Sequence, residues 1–235
     1  MDLKTGNWDQ ELLDLFSVRK EFLPEIKSSF GDFGKTKDLS FLDDGIPITG
    51  ILGDQQAALF GQAGFSPGGM KCTYGTGAFL LLNTGNEIKY SANGLLTTVA
   101  YRDGNQLFYA LEGSSYIAGA AVQWLRDNLK SIKSAPEVES LAKNVTNTKE
   151  MENILFLPFF TGIGSPHWIS DAKAAIVGLT RDTENKHIAR ACLEGVALSI
   201  NDLISSMEKD FGQKISSLKV DGGACSNNFL SLIHI

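Results

Sequence analysis

The sequence predicts a mixed α/β domain, and three features of the 235-residue chain carry that prediction. Short apolar runs in the middle of the chain pair off around tight turns, as strands of hairpins do. Further on, segments with helical periodicity alternate with short apolar runs, the pattern of strands covered by helices. Three strand-like runs also lead directly into a glycine turn: at Gly53-Asp54 and at Asp221-Gly222-Gly223 a helix follows, and at Gly75-Thr76-Gly77 a second strand.

From the N-terminus, Trp8 to Phe16 can form a short amphipathic helix, with Leu12, Leu13 and Phe16 on one face. Pro24 and the polar stretch Ser28 to Lys37 then break regularity, and residues 1–45 carry too little apolar surface to fold alone. Ile46 to Leu52 reads as a buried strand, and Asp54 to Ala63 as a helix with Asp54 as its N-cap. Met70 to Thr73 and Phe79 to Asn83 read as strands around the Gly75–Gly77 turn. Leu95 to Tyr101 and Gln106 to Glu112 flank Asp103-Gly104-Asn105, a strong hairpin signal. Helices are expected over Tyr116 to Leu129 and Ala135 to Lys143, and strands over Ile154 to Phe160 and Ala175 to Leu179. The clearest helix runs from Glu184 to Lys209, because Leu193, Val196, Ile200, Leu203, Ile204 and Met207 recur at helical spacing after the start signal Asp182-Thr183. Ser217 to Val220 reads as a last strand, with a helix starting near Cys225.

Composition narrows the function classes. Hydrophobic residues at 43% and charged residues at 20% are ordinary for a globular domain. A net charge of −6 argues against nucleic acid or an anionic membrane surface as partner. The three cysteines, Cys72, Cys192 and Cys225, have no CxxC spacing, which fits a reducing compartment and gives no metal signal. His167, His187 and His234 are too dispersed for a metal site. No apolar leader opens the chain and no apolar run is long enough to span a bilayer, so a cytoplasmic protein is expected.

Three constellations can carry chemistry. Asp54 is a carboxylate at a strand-to-helix junction; it can take the proton of an alcohol, while Gln55 offers a donor and an acceptor to a second hydroxyl. The Gly75-Thr76-Gly77 turn can bring backbone N–H groups and one hydroxyl to phosphate oxygens. Asp221 to Asn228 repeats the strand, glycine turn and helix start that can seat a nucleotide. Each has an ordinary explanation alone: a helix cap, a hairpin turn, a capped helix start. Trp124 and the run Phe156, Phe159, Phe160 read as core, and Glu112 as polar trim at a strand end.

Together the pieces are far more specific. The stretches GDQQAALFGQ (53–62), TYGTGAFLLLNTG (73–85), ALEGSSYIAGAAVQWLRD (110–127), LPFFTGIGSPHW (157–168) and VDGGACSNNFL (220–230) resemble the FGGY carbohydrate kinase family, over about Asp2 to Leu230. DQQAA followed by TYGTG resembles its glycerol-phosphorylating members more than those acting on xylulose, ribulose or rhamnulose. The resemblance implies an actin-like, ribonuclease H-like ATPase domain, a mixed sheet flanked by helices, truncated at both ends. It implies transfer of the γ-phosphoryl of ATP, with Mg²⁺, to a terminal hydroxyl of glycerol. It makes Asp54 the catalytic base, Asp54, Gln55 and Phe79 glycerol contacts, and Thr76, Gly119, Gln123, Gly223 and Asn227 ATP contacts, with Gly75 and Gly77 shaping the phosphate turn.

The resemblance further implies that residues 1–45 are the tail end of the N-terminal domain and residues 46–229 part of the C-terminal one. The full-length protein would be a homo-oligomer, and this part alone inactive. Leu230 to Ile235 matches what a sequencing adaptor encodes in frame, so these residues are expected to be non-native, and Met1 an internal methionine. The loop His167 to Ala174 departs from the family's usual sequence at the cleft edge, although Trp168 is kept. Two other readings stay open: a kinase of another polyol or sugar in the same family, and an actin-like or Hsp70-like ATPase that is not a kinase.

Overall fold

The computed structural model describes residues 1–151 and 153–233. The elements in chain order are α1 (Gln10–Leu15), α2 (Asp54–Gly61), β1 (Met70–Tyr74), β2 (Ala78–Gly85), β3 (Leu96–Asp103), β4 (Gln106–Ser115), α3 (Gly119–Asp127), α4 (Glu137–Lys143), β5 (Leu155–Leu157), β6 (Ala175–Val177), α5 (Asn185–Phe211), β7 (Lys219–Gly222) and α6 (Asn228–Ile233). Of the residues expected to be non-native, His234 and Ile235 lie outside the described ones.

Five strands form one mixed sheet in the order β3-β4-β2-β1-β7. β1 to β4 are antiparallel neighbours, whereas β7 joins β1 in parallel, with Cys72 opposite Val220 and Tyr74 opposite Gly222. One face of the sheet carries the main core. Cys72, Tyr74, Leu80, Leu82 and Leu111 pack there with Ala121 and Leu125 of α3 and with Leu193, Val196, Ile200, Leu203 and Met207 of α5. The other face is smaller: Leu81, Ala100 and Ala110 pack beneath Leu59 of α2.

The long helix α5 forms for the reasons its sequence gives. Its apolar stripe is buried, and Glu184 and His187 close a capping box, in which the Glu184 N–H donates to His187 Nδ1 at 2.9 Å. It ends at Gly212, whose φ of +83° suits a left-handed C-terminal turn. α3 starts three residues later than its periodicity predicts, because Ala118 leaves helical geometry to donate its N–H to Thr76 O at 2.8 Å. β5 stops at Leu157 because Pro158 has no N–H for the ladder.

Two expectations fail. Ile46 to Leu52 is not a buried strand. It is an exposed extended segment bridged to Phe30 and Lys35, with Ile48 40% and Ile51 58% exposed. Pro47 has no N–H to give, so the bonds to Thr36 and Gly34 come from Ile46 and Ile48 on either side of it. Asp54 is not an N-cap: Gly53 occupies that position, and Asp54 is the first helical residue.

The N-terminal segment does not stand apart from the sheet. Ser29 N–H donates to Arg102 O at 2.8 Å and Tyr109 Oη–H to Leu3 O at 2.7 Å, tying it to β3 and β4. Phe30 also joins Phe60 and Tyr101 in an aromatic cluster.

Candidate active site

The site is built around β1. Alternation places Lys71 and Thr73 on the α2 face of this strand, while Cys72 and Tyr74 enter the main core. At its end the chain turns through Gly75, Thr76 and Gly77 into β2. The turn is fastened from outside: Gly119 N–H donates to Gly75 O at 3.0 Å, and Ala118 and Ala120 N–H groups both donate to Thr76 O. The parallel strand β7 brings the second glycine turn beside the first. Gly222 has a φ of +89°, and a Cβ there would lie 2.2 Å from Tyr74 O. Only glycine lets β7 approach β1 this closely in that conformation.

Between the two turns, α3 and α6 lies a cleft of about 450 Å³. Gly75, Thr76, Gly119, Gln123, Gly223 and Asn227 all line it, so six residues from three separate parts of the chain converge. Gly77 does not line it; this residue packs behind the turn against the backbone of Ser115 and Tyr116. The cleft wall is largely apolar, from Val122, Val138, Leu193 and Val196. That lining suits a flat ring system. Asn227 also caps α6, accepting from Leu230 N–H at 2.9 Å.

On the α2 side, Asp54 is exposed and accepts the Gln55 N–H at 2.8 Å. Phe79 lies opposite Thr73 in the ladder and is half-buried. The residue that sequence reasoning missed is Lys71. Its side chain is fully buried, and its ammonium donates to Gln55 Oε1, to Thr73 Oγ1 at 3.0 Å and to Phe79 O at 3.2 Å. Burial lowers the Lys71 pKa, opposed by the carboxylates of Asp221, Glu112 and Asp54. Glu112 is more than strand trim. It lies in line with Lys71 and Leu81 across the sheet, and burial raises its pKa, an effect that Lys71 opposes and Asp54 reinforces. Asp221 accepts from the Gln62 amide, which links β7 to α2. A lysine flanked by apolar strand residues gives no local sequence signal of burial; only the register that places it under α2 does.

Domain models of one family match nearly the whole chain. The N-terminal domain of the FGGY family of carbohydrate kinases matches residues 1–61, and the C-terminal domain matches residues 70–234. The chain belongs to this family. Among curated FGGY relatives, it is 53% identical to the glycerol kinase of Myxococcus xanthus over 232 residues, and 52% identical to that of Bdellovibrio bacteriovorus over 231 residues. In each case the match covers 98% of this chain but 46% of the relative, so the chain spans less than half the length of these FGGY proteins. A crystal structure of Plasmodium falciparum glycerol kinase with ADP superposes on all of this chain and 46% of that one, at a TM-score of 0.87 and 42% identity. A ligand-bound xylulose kinase of Lactobacillus acidophilus, at 22% identity and a TM-score of 0.80, shares the fold. The mixed sheet flanked by helices is thus the actin-like ATPase fold of the FGGY kinases. No helix among the described residues is long and apolar enough to cross a membrane.

Proposed function

We propose that the full-length protein containing this chain transfers the γ-phosphoryl group of ATP to a terminal hydroxyl of glycerol. The observation that carries this reading is the convergence around β1. Gly75, Thr76, Gly119, Gln123, Gly223 and Asn227 line one cleft at the strand's end, and on its α2 side Gln55 and Phe79 meet through Lys71 while Asp54 bonds Gln55. The nucleotide lies in the cleft, with its phosphates toward Gly75 and Thr76, and Gly77 holds the turn from behind. Asp54 accepts the proton of the attacking hydroxyl, Gln55 binds a neighbouring hydroxyl, and Phe79 packs against the carbon chain. About 50% identity to two glycerol kinases supports glycerol over other polyols.

Among the described residues no cluster of three or more metal-ligating side chains forms; the exposed carboxylate Asp54, with phosphate oxygens and water, would hold Mg²⁺. When bound, the ion neutralises charge on the transferring phosphate. The chain's own groups orient the alcohol and hold the phosphates in line, which is the larger part of catalysis in phosphoryl transfer.

ADP release measured with and without glycerol tests the reading. Wild-type protein should turn over only with glycerol. Asp54→Asn should lower kcat by about 10²–10⁴-fold while leaving the KM for ATP unchanged. Turnover independent of glycerol and indifferent to Asp54→Asn would refute it.

A further inference from the structure

We infer that Lys71 is a positioning residue that fixes which way the Gln55 amide faces, and so sets the hydrogen-bond polarity offered to the acceptor alcohol. The inference rests on the glycerol-binding role proposed for Asp54 and Gln55. An ammonium group has three donors and no acceptor. The Gln55 atom facing Lys71 Nζ must therefore be the carbonyl Oε1, not the amide nitrogen. The other two donors of Lys71 go to Thr73 Oγ1 and Phe79 O, so the buried ammonium is fully satisfied and rigidly held.

One consequence sharpens the sequence reading of Gln55 as both donor and acceptor toward substrate. With Oε1 turned to Lys71, the Nε2 group faces the other way, where one hydrogen is donated to Asp54 Oδ2 at 3.5 Å and the second stays available. The alcohol therefore meets two unlike groups side by side. The carboxylate can only accept, and suits the hydroxyl that gives up its proton. The amide presents its donor end, and suits the oxygen on the neighbouring carbon. Without Lys71 the amide could turn over, and half of its orientations would set a carbonyl oxygen beside the Asp54 carboxylate, where two acceptors compete for the same hydroxyl hydrogens. Lys71 also holds the Phe79 carbonyl, so a single cation fixes two of the three groups assigned to the alcohol.

The test uses the full-length protein and a double-mutant cycle of Lys71→Met and Gln55→Ala, with separate KM values for glycerol and ATP. Lys71→Met should raise the glycerol KM about tenfold, the worth of one misplaced hydrogen bond, and leave the ATP KM unchanged. In the Gln55→Ala background the same change should add nothing further. Gln55→Glu retains the acceptor for Lys71 but removes the outward donor; it should fold and raise the glycerol KM alike, which keeps the inference testable should Lys71→Met not fold. Equal rises in both KM values, additive effects in the cycle, or a normal glycerol KM for Gln55→Glu would overturn the role of Lys71 alone. Absence of glycerol-dependent turnover in the wild type would overturn the glycerol reading, and this inference with it.

Discussion

Two glycines share a positive φ but differ in ψ and in what surrounds them: Gly212, at ψ +11°, is left-handed helical, whereas Gly222, at ψ +173°, is extended. Gly222 has a φ of +89° and Gly212 a φ of +83°. At Gly212 alanine carries the left-handed penalty of about 1–2 kcal/mol; at Gly222 the positive φ with extended ψ is a conformation essentially reserved for glycine, at about 1–3 kcal/mol. At Gly212 nothing lies within 4 Å of the added Cβ, so that penalty is the whole effect. At Gly222 the Cβ would lie 2.2 Å from Tyr74 O and 2.6 Å from Tyr74 C, both backbone atoms of the paired strand β1. A backbone cannot yield as a flexible side chain does, so forced repacking adds about 1–3 kcal/mol. Gly222→Ala should therefore cost about 2–6 kcal/mol, against about 1–2 kcal/mol for Gly212→Ala. Urea unfolding followed by far-UV circular dichroism reads both as midpoint shifts at unchanged slope. A second signature accompanies the first: nucleotide affinity should fall in Gly222→Ala only, because Gly223 and Asn227 would be displaced from the β1 turn. Equal losses of stability in the two variants, or intact nucleotide binding in Gly222→Ala, would refute the close-contact account of the β1–β7 junction.

Two further outcomes are expected. Asp210, near the end of α5, accepts from Ser91 Oγ at 2.5 Å, Asn93 Nδ2 at 2.6 Å and Ala92 N–H at 3.0 Å, pinning the loop before β3. Burial pushes its pKa up, but the hydrogen bonds from Ser91 and Asn93 outweigh it and hold the carboxyl below its ordinary value of 3.8. The stability this adds is fully present above the ordinary value and is lost as pH falls through the folded one. Unfolding midpoints of wild type and Asp210→Asn should thus differ at pH 7 and converge toward pH 3; a constant gap would count against the linkage. Among the thiols, burial pushes Cys72 and Cys192 up to about 12, and both are fully buried, whereas Cys225 is only half-buried. A thiol reagent at pH 8 should label Cys225 first and the other two only on unfolding, read by peptide mass; native labelling of Cys192 at the rate of Cys225 would contradict the packing beneath α5.

Local signals made much of the fold legible. The stripe from Leu193 to Met207 and the Asp103-Gly104-Asn105 turn determine α5 and the β3–β4 hairpin from within their own segments. The two glycine turns were legible as turns, but their adjacency depends on β7 pairing with β1, a long-range contact no local pattern encodes. Ile46 to Leu52 misled because an apolar run is the signature of burial, yet burial depends on what covers the run. Lys71 was invisible for the converse reason. A charged residue is ordinarily solvated, and only the stacking of β1 under α2 shows that Gln55, Thr73 and Phe79 replace its water.

The parallel pairing of β7 with β1 also dictates an order of events. β1 and β2, and β3 and β4, are each joined by a short turn, and all four strands pair with near neighbours in the chain, so this half of the sheet can assemble early and fast. β7 must wait for α3, α4 and all of α5 to be synthesised before it can cross to its partner. The cleft has one glycine turn on each of these strands, so its two walls meet only late in folding. During synthesis the exposed edge of β1 is the unpaired strand that a nascent chain must protect, and ligands that bridge the two turns should favour the finished sheet over every earlier state.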